Sequence, residues 1–275
     1  MKLLKIYFGL LLFLIAIVVF AQKETVIFHT NDLHSQMEPV KDNGLGGMLR
    51  LATIVEQERE KHPDLFLFDA GDFWMGTPYF NFFGGEVEIA MMNAIQYDAV
   101  TLGNHQFDIP LNFLAQRLSE ADFKVVLSNY NVTKTPLKNF VSPYTIIEKN
   151  GIKVGVIGVC VDLKGLAMPQ NYPGMIYKDP VKIANKLSKK LKKSGCTLVV
   201  CLSHLGYDTK DAINDIRLAE NSKNIDIIIG GHSHYLLEKD SDKIKTNRDG
   251  KPVTIVQARK SGMYLGKIVV NSGNP

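Results

Sequence analysis

The chain has 275 residues, 45% of them hydrophobic and none in a low-complexity tract, which is enough to bury one large core; a second domain is not expected. Its formal charge is +4, and losing Lys2 and Lys5 with an N-terminal export segment would leave +4 − 2 = +2, which excludes a nucleic-acid polymer as partner. Three cysteines, Cys160, Cys196 and Cys201, are too few for a disulfide framework.

The chain begins with Lys2 and Lys5, an uncharged apolar stretch from Ile6 to Ala21, and Val19-Phe20-Ala21 where a signal peptidase would cut. Residues 1–21 are therefore expected to be a signal peptide, with 22–275 exported to the periplasm or the extracellular space. The alternative is an uncleaved anchor, because the apolar run borders on membrane-spanning length. A strand is expected over 25–30, a helix over 47–61, a strand over 65–69, a helix over 86–95, a strand over 99–102, a helix over 111–121 and a strand over 124–128. Strands over 144–148 and 152–159 flank Asn150-Gly151, a strong hairpin signal. A helix over 181–193, a strand over 198–202, a helix over 209–221 and a strand over 225–229 follow, and strands over 253–257 and 265–270 close the chain with no helix between them.

Alternating strands and helices with an antiparallel part predict an α/β fold: a four-layer αββα sandwich of two mixed sheets packed face to face between helices. The basic stretch 186–193 carries Leu187 and Leu191 at helical spacing, so it reads as a solvated helix face, with a polyanion site as the alternative. Cys196 and Cys201 bracket a strand and stand roughly 16 Å apart at about 3.3 Å per residue, beyond disulfide reach. All three thiols are read as buried and inert.

Five of the seven histidines fall in short polar clusters, each after an apolar run: Asp32-Leu33-His34, Gly103-Asn104-His105, Ser203-His204 and Gly231-His232-Ser233-His234, with Gly71-Asp72 after a further run. Histidines that merely pack in a core have no reason to choose strand ends. Oxygen and imidazole donors without thiolate suit two divalent cations, manganese, iron, cobalt or zinc. A carboxylate is the natural bridge between such a pair, and Asp72 is the candidate. Asp32 and His34 can chelate one cation from one loop, and Asn104 can offer an amide oxygen to the other.

Thr30-Asn31-Asp32-Leu33-His34, Asp69-Ala70-Gly71-Asp72, Gly103-Asn104-His105-Gln106-Phe107-Asp108, Ser203-His204 and Gly230-Gly231-His232-Ser233-His234 together resemble the calcineurin-like metallophosphoesterases. Within them they are similar to the catalytic domain of the 5′-nucleotidase and UDP-sugar hydrolase family, over about 25–270; Thr77-Pro78 and Gly46-Gly47-Met48-Leu49-Arg50 match as well. The resemblance implies the metallophosphoesterase fold, one metal on Asp32, His34, Asp72 and His234, and a second on Asp72, Asn104, His204 and His232. It implies attack on a nucleotide phosphate by a hydroxide bridging the metals. His105 would act outside the coordination sphere, with Asp108 fixing its ring; as an alternative or additional role Asp108 would cap the helix that follows. Gln106 departs from the acidic residue usual in this motif. The nearest rival activities are 2′,3′-cyclic nucleotide phosphodiesterase and UDP-sugar hydrolase.

His29, inside the first strand, reads as a core histidine, and His62 as a surface residue at a helix end. The aromatic stretch 73–83 reads as core packing, with an apolar wall beside the metals or a docking surface as the alternatives. Family members usually continue into a second domain that recognises the base. None is expected within this chain, so either a separately encoded partner supplies it or the enzyme acts broadly on phosphate esters.

Overall fold

Strands buried on both faces read as unbroken apolar runs. The computed structural model, which describes residues 24–271, places such runs at the centres of two sheets. The expected signal segment, 1–21, lies outside the described residues. In chain order the elements are β1 (Glu24–Thr30), α1 (Met48–Lys61), β2 (Phe66–Asp69), α2 (Pro78–Phe83), α3 (Glu86–Ile95), β3 (Ala99–Thr101), α4 (Leu111–Leu118), β4 (Lys124–Val126), β5 (Tyr130–Asn131), β6 (Val141–Ser142), β7 (Tyr144–Lys149) and β8 (Ile152–Cys160). They continue with β9 (Ile176–Tyr177), α5 (Pro180–Lys193), β10 (Leu198–His204), α6 (Asp215–Asn221), β11 (Ile227–Gly230), α7 (Asp240–Lys243), β12 (Ile244–Thr246), β13 (Pro252–Val256) and β14 (Gly266–Asn271). The main unit is Val26–Ile268; a second, residues 1–25 and 269–275, contributes among the described residues only the first two residues of β1 and the last three of β14.

The first large sheet has the order β14-β1-β2-β3-β4-β6 and the second β12-β13-β11-β10-β8-β7, while β5 and β9 form a small ribbon. Strands β1, β2, β3, β4 and β6 run parallel, as do β8, β10, β11 and β13. Every residue of β2 and β10 is buried, as expected for strands covered on both faces. The sheets meet face to face through β3 and β4 against β8 and β10. Helices α1, α3 and α4 pack together on one side, and on the other α5 packs on β8 and β10 and α6 on β11, β12 and β13, which makes the four layers. The sheets approach so closely at Gly158 that a Cβ there would meet Val126 O and lie 2.5 Å from Thr101 Oγ1. Ser128 N donates to Gly158 O at 2.6 Å across this seam.

The hairpin forms as the sequence indicates: β7 and β8 pair antiparallel from Tyr144↔Ile157 to Lys149↔Ile152, and Asn150 and Gly151 take φ 49° and 76°, the two left-handed positions of a tight hairpin turn. Helix α5 is capped by Asp179, whose Oδ1 accepts from Lys182 N at 3.0 Å, with Pro180 in the first turn. It buries Ala184, Leu187 and Leu191 and leaves Lys186, Lys189, Lys190 and Lys193 exposed, so the basic stretch is a solvated face whose last turn suits the helix dipole. The helix expected over 209–221 forms only as Asp215–Asn221. Asn214 Oδ1 accepts from Arg217 N at 3.0 Å and Asn214 Nδ2 donates to Thr209 O at 3.0 Å, so the same residue caps the helix and closes a loop before it. The two final strands belong to different sheets, β13 to the second and β14 to the first. All three cysteines are free and buried.

Candidate metal centre

The C-terminal ends of β1, β2, β3, β10 and β11 bring the polar clusters together, because the parallel register aligns Thr30 with Asp69 and Ser203 with Gly230. Ligand sites of parallel sheets gather at such ends. Two groups of side chains there could each hold a cation: Asp32, His34 and His234, and Asp72, His204 and His232. They form one cluster, since His204 Nε2 is 2.9 Å from Asp72 Oδ2 and 4.0 Å from Asp32 Oδ1. His234 Nε2 lies 3.4 Å from Asp32 Oδ1 and 3.2 Å from His34 Nε2. Two nitrogens held tetrahedrally at about 2.0–2.1 Å from one cation stand about 3.3 Å apart, so this pair has the spacing of co-ligands.

The ring orientations are fixed from behind. His204 Nδ1 is 2.7 Å from Ala70 O and His34 Nδ1 is 3.1 Å from Met75 O; a carbonyl only accepts, so both Nδ1 atoms carry a proton and both Nε2 atoms face the cluster, where a cation would displace any proton on them. Asn104 is buried and its Oδ1 has no hydrogen-bond partner, an orphaned acceptor in the loop whose His105 N donates to Asp72 Oδ1 at 2.9 Å. Nitrogen and oxygen donors, co-ligand spacing and an unused amide oxygen fit a pair of divalent cations.

Five of the seven candidate ligands, Asp32, His34, Asp72, His232 and His234, have left-handed backbones with φ between 49° and 69°. Such positions cost on the order of 1 kcal/mol each in non-glycine residues and collect at functional sites. Hydrogen bonds hold the strained loops together: Asp32 N to Gly71 O at 2.9 Å, His34 N to Asp72 O at 3.0 Å, and His232 N to Asp32 Oδ2 at 3.0 Å. Burial depresses the His34 imidazole and pulls His232 down to about 4, with the neighbouring His204 adding to it. Burial also works against a charged His204, but Asp72 and then Asp32 outweigh it and raise the imidazole to about 9. Burial opposes ionisation of Asp72 as well, yet the surrounding histidines, His204 foremost, hold it below the usual carboxylate range.

His105 stands at the rim, half-exposed, with Nδ1 2.6 Å from Asp108 Oδ2 and its ring centroid 5.4 Å from that of His34. Asp108 does not cap α4, whose N-cap is Pro110; it closes the 3₁₀ turn Asn104–Phe107 and faces His105. A cavity of about 590 Å³ opens beside His34, His105 and His234. The aromatic stretch divides: Phe73, Trp74 and Phe80 are buried, Phe82 and Phe83 are exposed, and its contribution to the cavity wall is Met75 and Gly76 rather than an aromatic ring. His29 is buried in the core, where burial lowers it to about 4.

Residues 25–236 match the family model described as calcineurin-like phosphoesterase. The chain belongs to that family. The chain is 33% identical over 287 residues to the snake venom 5′-nucleotidase of Naja atra, a match covering 92% of the chain and 53% of the relative. It is 30% identical over 288 residues to the 5′-nucleotidase of Homo sapiens, covering 92% and 49%. Among solved structures it superposes on the 5′-nucleotidase precursor from Thermus thermophilus with a TM-score of 0.82 and 32% identity, covering 90% of this chain and 51% of that one. The chain therefore spans about half the length of these relatives. Among the described residues no helix is long and apolar enough to cross a membrane.

Sequence alone did not reveal the roles of several residues that organise the candidate centre. Gln106 Oε1 accepts from Asp72 N at 3.0 Å and Gly103 N at 2.6 Å, work that the oxygen of an acidic residue would do equally well. Asn31 Nδ2 donates to Asp32 Oδ2 at 2.6 Å while its Oδ1 accepts from Ala258 N at 2.8 Å. Gln257 binds Gly231 O, Ser233 Oγ and Tyr235 N. Ser203 Oγ donates to the buried Asp215, whose carboxyl burial raises to about 8.

Proposed function

We propose that this phosphoesterase is an exported, metal-dependent phosphohydrolase of the 5′-nucleotidase type that releases phosphate from nucleotides, with 1–21 as its signal segment and 22–275 as its catalytic domain. The carrying observation is the convergence of the two ligand groups around Asp72 with Asn104 Oδ1 buried and unpartnered beside them. Asp32, His34, Asp72 and His234 would hold one cation, and Asp72, Asn104, His204 and His232 the other, with manganese, iron, cobalt and zinc all suited to the donors. Bound there, the cations would supply Lewis acidity at the phosphoryl oxygens and a nucleophilic water at neutral pH.

The chain's own residues do the rest. Ala70 O and Met75 O keep the Nδ1 protons of His204 and His34 in place and so keep Nε2 available as ligand. Asp108 holds His105 through Nδ1, leaving Nε2 to carry a proton to the leaving oxygen or to a phosphoryl oxygen. Gln106 fixes the Asp72 loop against Gly103. Contacts to the base and ribose beyond the cavity are assigned to the portion that the relatives carry outside the matched half, on the same polypeptide or as a separately encoded domain.

Purified protein with manganese or zinc should release inorganic phosphate from nucleoside 5′-monophosphates and lose the activity on chelation. A panel including 2′,3′-cyclic nucleotides and UDP-sugars separates the rival esters. Absence of turnover on every phosphate ester, with two cations bound per chain, would refute the reading. Export is checked by N-terminal sequencing of the mature protein, which should begin at Gln22.

A further inference from the structure

Deepening the phosphohydrolase reading, on which it rests, we propose that the cavity beside His105 accepts a leaving group bearing a second phosphate, and that Lys260 selects for it. Its volume, about 590 Å³, falls in the range that takes a whole small ligand and far exceeds the needs of one phosphoryl group. His34, His105 and His234 form one side, and Met75, Met263 and Lys260 are among the residues that complete it. Among the described residues no carboxylate lines it. The other cavity at the centre, about 430 Å³ beside His232, has Asp162, Asp211 and Lys164 in its wall. The two spaces flanking the centre therefore differ in charge, and the one at His105, with a lysine and no carboxylate in its wall, suits an anionic leaving group better.

Lys260 is exposed, and among the described residues no ion pair occupies its ammonium group. Its backbone is nonetheless tied to the centre. Ser261 N donates to Asp32 O at 2.7 Å, Gly47 N to Ser261 O at 3.0 Å and Met263 N to Lys260 O at 3.1 Å, and Asn31 Nδ2 donates to Arg259 O. Arg259 and Ser261, on either side, are both left-handed, at φ 62° and 59°. A strained turn persists only where its surroundings impose it; here the imposing contacts come from Asn31, Asp32 and Gly47, so the Lys260 Cα is fixed relative to the candidate ligands.

The test compares wild type, Lys260→Met and Lys260→Arg on adenosine 5′-monophosphate, adenosine 3′,5′-bisphosphate and adenosine 5′-diphosphate, with p-nitrophenyl phosphate as a reporter of the reaction itself. For at least one of the two doubly phosphorylated probes, the ratio of kcat/KM to that of the monophosphate should fall about tenfold in Lys260→Met, the worth of one charge-assisted hydrogen bond. It should recover in Lys260→Arg and decline in wild type as ionic strength rises. Ratios within twofold of wild type for both probes in Lys260→Met overturn the assignment while hydrolysis of p-nitrophenyl phosphate leaves the phosphohydrolase reading standing. Wild-type protein that hydrolyses none of the four esters overturns both.

Discussion

Gly103→Ala adds one carbon at the point where the two halves of the candidate centre meet. A Cβ on residue 103 would lie 2.6 Å from His204 Nε2 and 2.7 Å from Asp72 Cγ, with Asp72 Oδ1 nearer still. Ordinary contact begins at 3.4 Å, so His204 Nε2 must retreat by 3.4 − 2.6 = 0.8 Å unless the backbone moves. The backbone is held, because Gly103 N donates to Gln106 Oε1 at 2.6 Å. Ligand-to-metal distances tolerate only about 0.2 Å. Residue 103 has φ −97° and ψ −172°, extended values open to alanine, so backbone strain adds nothing and the fold should survive an overpacking cost of about 1–3 kcal/mol. The expected result is a folded protein whose affinity for the cation on Asp72 and His204 drops by at least about 10–100-fold, the scale seen when ligands lose their orientation. Elemental analysis after dialysis against limiting manganese, thermal melts with and without metal, and phosphate release read this out together. Two cations per chain with wild-type kcat/KM would refute the reasoning.

His105→Asn should keep both cations and lower turnover by about 10²–10⁴-fold; unchanged turnover removes His105 from the chemistry. Gln106→Leu strands the N–H groups of Asp72 and Gly103, now bonded at 3.0 and 2.6 Å, and should destabilise by about 1–3 kcal/mol for each. Gln106→Glu keeps the accepting oxygen, and Gln106 Nε2 has no partner to lose, so what it costs is the burial of a carboxyl group near Asp72, and its urea midpoint should rise as pH falls and the carboxyl takes up a proton. Burial raises the Asp215 carboxyl from 3.8 to about 8, so its stabilising proton is fully present below the unfolded value and lost as pH rises through about 8. Between those limits the folded state holds one more proton there, worth about 1.4 kcal/mol per pH unit. In metal-free protein, Asp215→Asn should therefore make the change in urea midpoint between pH 5 and pH 8 less negative than in wild type by about one proton; parallel profiles would contradict the assignment.

Where the candidate ligands emerge was readable from residue order, because parallel strands buried on both faces spell apolar runs and the polar cluster after each run marks its carboxyl end. Asp32, Asp72 and His204 follow directly from that rule. What escaped depends on contacts between distant parts of the chain. Asn31 bonds Ala258, 227 positions away, and nothing local announces it. Gln106 looked like a departure from a charged position, yet its oxygen performs a neutral acceptor's task. The left-handed backbones at His34 and His234 are imposed by neighbouring loops, which residue type does not reveal. Helical spacing over 209–221 was real, but Asn214 found better use as a cap, and the first turns gave way to a loop beside the cavity that carries Asp211. Tyr130–Asn131 and Ile176–Tyr177, two residues each, are too short to leave any periodic signal.

Anomalous diffraction from manganese-loaded crystals bears most directly on the claim that Asp72 joins two cation sites. Two peaks about 3.5–4 Å apart, one among Asp32, His34 and His234 and one among Asn104, His204 and His232, with Asp72 between them, are the predicted result. A single peak, or peaks that leave Asp72 without metal contact, would contradict it.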